Sequence, residues 1–205
     1  DIGGGRRPDS THDRSVESTT MKLGRLSRAF VVGAVCVLAS CSSANTSTQD
    51  QQEESADELN VIDAMFVEMM LPHHEQAIVM SDMALEPSRG ASTEVVELAQ
   101  QIKSVQEIEI ALLRDLATRA NDLGDDHMHE MKGMLTEDEL AALGSLSGGE
   151  FDRAWLEGMI AHHEGAVEMA NDVLRDGRNQ SVRTLANEVV KTQLAEIDVM
   201  KALLN

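Results

Sequence analysis

Two adjacent histidines set among methionines occur twice in this chain, and those residue types at that spacing can ligate a transition metal. The first copy reads Met70-Leu-Pro-His73-His74-Glu75, with Ala77 and Met80 following. Eighty-nine positions later it returns as Met159-Ile-Ala-His162-His163-Glu164, with Ala166 and Met169. Met70–His73 and Met159–His162 are i, i+3 pairs, which share one face of a helix. Imidazole suits copper, zinc, nickel and iron, and thioether sulfur adds a preference for Cu(I). Each copy also carries a distal polar pair, because Gln106 and Glu109 recur as Gln193 and Glu196 at a spacing of 87. The glutamates can be ligands, or they can orient the imidazoles through the other ring nitrogen, with the glutamines in support. A metal-free alternative stands beside this one: a buried His–Glu/Gln hydrogen-bond network that sets the register of the helices. Methionine is also ordinary filler in a core poor in aromatic residues, so Met80 and Met169 alone decide nothing. Between the copies lies His127-Met128-His129, followed by Met131 and Met134. That stretch reads either as a second, exposed metal-capture loop or as an acidic connector.

The elements that must position these residues are helices. Only 2% of residues are aromatic while 42% are hydrophobic, a balance that favours helices over a sheet. A first helix is expected from Asn60 to Leu85, ended by Glu86-Pro87 and interrupted by Pro72, which can kink it beside the histidines. Ser92 caps a second, from Thr93 to Ala120, whose stripe of Val95, Leu98, Ile102, Val105, Leu113 and Leu116 also contains Gln106 and Glu109. Thr136 with Glu139 forms a capping box for a short helix to Leu146, and Ser147-Gly148-Gly149 reads as a break. The third long helix, Glu150 to Leu174, places His163 near the middle of an apolar arc and His162 on its flank. Glu157, Glu164 and Glu168 point away from that arc. Asn179 caps the last helix, which runs to the C-terminus. The duplication thus covers whole helical hairpins (repeats 58–120 and 150–205, bridge 121–149), and two hairpins make an antiparallel four-helix bundle.

Ahead of residue 58 the chain reads as processing signals. Lys22, Arg25 and Arg28 precede the apolar run 29–38, then Ala39-Ser40-Cys41. This is a signal peptide over 21–40, too short to span a membrane. Leu38-Ala39-Ser40-Cys41 resembles a bacterial lipobox, making Cys41 the lipidated residue that anchors the protein to the outer face of the cell membrane. Residues 41–57 form a polar tether, and 1–20 an upstream extension excluded from fold reasoning. Cys36 leaves with the signal, so a metal site must use histidine, methionine and carboxylate. A net charge of −19 argues against nucleic acid or an anionic membrane surface as partner.

The doubled Met-x-x-His-His-Glu-x-Ala-x-x-Met segments, each followed by a helix with Gln-x-x-Glu-Ile, resemble the bacterial family known as domain of unknown function 305. The resemblance spans residues 58–205. It implies an exported, ferritin-like four-helix bundle, and copper binding as found in some members. Carried over by motif, it points to His73, His74, His162, His163, Met70, Met159, Met80 and Met169. Three function classes compete. The first is an extracytoplasmic lipoprotein that sequesters or delivers copper, with other transition metals open. The second is a metal-free lipoprotein that docks on a protein partner. The third, a ferritin-like oxidoreductase, needs Glu-x-x-His on two helices. Here Met70 and Leu71 precede His73 and His74 by three residues, and Met159 and Ile160 do so in the second copy. Without that pattern, or a nucleophile or phosphate-loop motif, no enzymatic activity is expected.

Overall fold

The computed structural model describes residues 58–120 and 131–205. The proposed signal peptide, Cys41, the tether and His127, Met128 and His129 lie outside the described residues. All regular structure among the described residues is helical: α1 (Val61–Leu85), α2 (Thr93–Ala117), α3 (Glu137–Ser145), α4 (Gly148–Asp176) and α5 (Gln180–Leu203), with a single 3-10 turn at Pro87–Arg89. No described helix is long and apolar enough to cross a membrane.

The helix starts follow local chemistry. The Asn60 side chain accepts from Asp63 N, and Asp63 returns the bond to Asn60 N, a reciprocal cap. Thr136 and Glu139 form the second such box. Ser92 and Asn179 cap α2 and α5 through their side-chain oxygens. Some boundaries differ from expectation. α2 stops at Ala117, while α4 ends at Asp176 instead of Leu174 and begins at Gly148 instead of Glu150. The supposed glycine break is therefore the first turn of a helix. Gly148 takes φ +60° there, a value glycine adopts without a Cβ penalty.

α1 packs on α2 and α4 on α5, and the two hairpins join along α1 and α4. α2 and α5 meet only sparingly. Two apolar clusters show that α1 and α4 run in opposite directions. One combines Ala77, Met80 and Ala84 of α1 with Phe151, Trp155 and Met159 of α4. The other combines Phe66 and Met70 with Ala166, Met169 and Ala170. The histidine pairs fall between the clusters, at the centre of this crossed arrangement. Trp155 is fully buried and donates its indole N–H to the Met80 carbonyl at 2.9 Å, which satisfies its one polar atom.

The duplicated aspartates tie the hairpins together. Asp63, with no exposed surface, accepts from the backbone amides of Arg178 (3.0 Å) and Asn179 (3.0 Å) at the start of α5, in addition to Asn60. Its counterpart Asp152 accepts from Ser92 N at 3.1 Å, at the start of α2. Each hairpin's first helix thus anchors the other hairpin's second helix. Asp63→Ala would strand several buried amides, at about 1–3 kcal/mol for such a loss. We expect about 2–4 kcal/mol of destabilisation in urea unfolding. A loss below about 0.5 kcal/mol, typical of surface substitutions, would show that the latch contributes little.

Candidate metal centre

α1 and α4 bring all four motif histidines into the bundle interior, each with no measurable exposure. His73 and His162 come from opposite copies and lie ring to ring, centroids 3.7 Å apart at an interplanar angle of 39°. His162 and His163 are 6.2 Å apart. The Nε2 of His73 faces the Lys132 carbonyl oxygen at 3.1 Å. Because a carbonyl can only accept, that nitrogen carries the hydrogen and Nδ1 keeps the lone pair. His74 Nε2 meets Glu109 Oε2 at 2.9 Å, and His163 Nε2 meets Glu196 Oε2 at 2.8 Å. With the carboxylates accepting, each of these Nε2 atoms is the donor, and Nδ1 is the ring nitrogen left facing the interior.

Among the described residues, the Nδ1 atoms of His73, His74 and His163 have no hydrogen-bond partner, nor does either ring nitrogen of His162. Buried polar atoms are rarely left this way. Burial holds the His73 imidazole down to about 3, helped by His74 and opposed by the Lys132 carbonyl. His162 is also held well below the usual histidine range, first by burial and then by His73, His163 and His74, with the His73 backbone opposing. Both rings are therefore neutral at physiological pH, the state that ligates metals.

The structure separates residues that spacing alone grouped together. Glu109 and Glu196 are hydrogen-bonded to the central imidazoles, so they hold His74 and His163 in place. Gln106 and Gln193 are buried but hydrogen-bond to neither histidine, and both their amide groups lack partners among the described residues. Met70 and Met169 fall in one apolar cluster and Met80 and Met159 in the other, all four buried on either side of the imidazoles. Glu157, Glu164 and Glu168 are exposed. Among the described residues, no three His, Cys, Asp or Glu side chains are grouped so as to hold a metal ion. The donors that do come together are the His73–His162 pair.

A strap from the bridge covers that pair, and its importance was not visible in the spacing. The Gln76 amide grips Leu135 twice, donating to its carbonyl and accepting from its N–H, both at 2.8 Å. Gly133, at φ +81°, passes so close to α4 that a Cβ there would collide with the Ala161 carbonyl and stand 3.1 Å from His162 Cα. Gly165 leaves room for the strap from the other side, since a Cβ there would strike the Lys132 carbonyl. Gln76 and Gly165 occupy equivalent positions in the two copies. That departure from the repeat was the one available signal: one copy grips the strap and the other makes room for it.

The family described as Domain of unknown function (DUF305) matches residues 63–204. A DUF305 protein of Streptomyces coelicolor, described as secreted, is 31% identical, with a TM-score of 0.63 over 70% of this chain and 90% of that one. A DUF305 fragment from Deinococcus radiodurans is 30% identical, with a TM-score of 0.62 over 72% of this chain and 97% of the fragment. CopM in its Cu(I)-bound form is 30% identical, with a TM-score of 0.58 over 69% of this chain and 94% of that one. CopM structures in Cu(II)-bound and silver-bound forms are similar as well. No curated protein sequence matches the chain.

Proposed function

Because the chain belongs to the DUF305 family, we propose that it is an exported copper-binding protein that holds or delivers the ion outside the cytoplasm, without turnover. The observation that carries this reading is the arrangement of the imidazoles. Metal-ligating histidines donate one ring N–H to a carboxylate or backbone carbonyl and present the other nitrogen. His73, His74 and His163 do this with Lys132, Glu109 and Glu196, and their Nδ1 atoms have no partner among the described residues. His73 and His162 would be the principal nitrogen donors. Met70, Met80, Met159 and Met169 would supply thioether sulfur from the flanking clusters, a mixture that favours Cu(I). The likeness to CopM structures holding copper or silver supports this metal class. Export through the signal peptide, with Cys41 as a lipid anchor, is part of the same proposal.

The metal-free docking alternative asks for an exposed apolar stripe. The described surface offers instead scattered side chains: Val61, Ile62 and Val79 on α1, Ile108 and Leu112 on α2, and Leu194, Val199 and Leu203 on α5. Charged residues such as Glu107, Arg114, Asp198 and Lys201 surround them. Such scattered exposure is normal for a soluble surface.

The deciding experiment is titration of the purified protein with Cu(I), Cu(II) and Zn(II) against competing chelators. Sub-nanomolar Cu(I) binding is expected, tighter than that of Zn(II). Binding no tighter than micromolar for every ion would return the histidines to core architecture.

A further inference from the structure

Outside the imidazole pair, on the far side of the strap, lies an open groove of about 990 Å³. Five methionines line it: Met65 and Met69 from α1, Met131 and Met134 from the strap, and Met169 from α4. Core filling accounts for the buried Met169 and in part for Met69, which packs against the core, but not for Met65, Met131 and Met134, which are partly exposed. A flexible thioether left facing solvent gains little from burial, and more polar residues would serve the surface as well. Three separate segments nevertheless converge their sulfur-bearing side chains on one concavity. Lys132 and Gly133 form part of the groove wall while also touching His73 and α4 beside His162, so a single stretch of backbone separates the groove from the imidazoles. Lys132 pairs with Glu168 at the rim, which keeps the strap's charge turned towards α4.

We propose that this groove is a second site, for a soft monovalent cation such as Cu(I) or Ag(I), held by the thioethers of Met65, Met69, Met131 and Met134. Thioether sulfur is a soft, neutral donor, so a site built from it selects Cu(I) or Ag(I) over hard divalent ions. It also binds without releasing a proton, since a thioether carries none. The proposal rests on the copper-handling reading for its metal class, but it uses none of the four imidazoles.

The test is an Ag(I) titration of three proteins: the unaltered chain, the M65L/M69L/M131L/M134L variant and the H73A/H162A variant. Leucine keeps the volume and apolar character of methionine, so the fold should survive. The leucine variant is expected to lose about one equivalent of Ag(I) that the histidine variant retains, as a separate thioether site requires. Equal stoichiometry in the leucine variant and the unaltered chain would overturn the groove site. So would disappearance of that equivalent in the histidine variant, which would assign it to the imidazoles. If the leucine variant loses it while the histidine variant binds Ag(I) and Cu(I) like the unaltered chain, the groove stands and the imidazole reading falls. Peroxide oxidation of the unaltered protein, mapped by peptide mass, gives an answer free of substitutions. Ag(I) should protect Met65, Met69, Met131 and Met134 from sulfoxide formation, and oxidation unaffected by Ag(I) would overturn the site.

Discussion

Replacing both His73 and His162 with alanine is expected to weaken Cu(I) binding by more than about a hundredfold while leaving the helices in place. Loss of a group that merely supports a ligand costs about 10–100-fold in metal affinity, and removing two donors should cost more. This pair is also the cleanest to remove. Losing His74 or His163 would leave Glu109 or Glu196 without its partner in a nearly closed interior, which destabilises the fold by itself. Losing His73 releases only the Lys132 carbonyl, and neither ring nitrogen of His162 has a hydrogen-bond partner among the described residues for its removal to orphan. Affinity measured by chelator competition, beside the far-ultraviolet circular dichroism of the same sample, separates the two effects. Unchanged Cu(I) affinity in a folded double variant would refute the assignment of these two residues.

The second large effect is on acid stability of the metal-free protein. In the unfolded chain histidines titrate near 6.5, whereas folded His73 is held to about 3 and folded His162 well below 6.5. Between those limits the unfolded chain takes up protons that the folded chain refuses. The stability contributed by the two neutral rings is therefore complete above pH 6.5 and is lost as the pH falls towards 3. The slope is about 1.4 kcal/mol per pH unit for each imidazole once the pH is well below 6.5. Urea midpoints should drop steeply from pH 6 to pH 4, and the H73A/H162A variant should drop less over the same range. A midpoint in the unaltered protein that stays level across that range would mean the rings accept protons in the folded state. Bound Cu(I) should move the acid transition to lower pH, because metal and proton compete for the same nitrogens.

The duplication, the helical class and the residue types of the candidate metal site were all present in the order of residues. Helix periodicity and capping depend on neighbours within a few positions, so Ser92, Thr136 and Asn179 could be placed as caps from the chain alone. The same local logic placed His163 near the middle of its apolar arc. Glycine pairs misled that logic at Ser147-Gly148-Gly149, since whether Gly148 breaks a helix or opens one depends on where α4 must pack.

Tertiary structure decided what the local pattern left open. Sequence offered Glu109 and Glu196 as ligands or as supports, and only the packing of α2 on α1 and of α5 on α4 brings each carboxylate to one imidazole. Gln106 and Gln193 shared their helical stripe yet bond to no histidine, because one helical turn is enough to carry a short amide away from the ring. The His73–His162 contact joins residues eighty-nine positions apart, and the strap over it depends on Gln76, Gly133 and Gly165 meeting across three segments. Periodicity along one chain says which residues share a face. It does not say which faces meet, because that is set by the total burial and hydrogen bonding of all the helices at once. The sequence by itself therefore determined an all-helical, duplicated chain whose chemistry is that of imidazole and thioether. The tertiary fold alone chose which two imidazoles touch, which carbonyl covers them and which methionines stand outside.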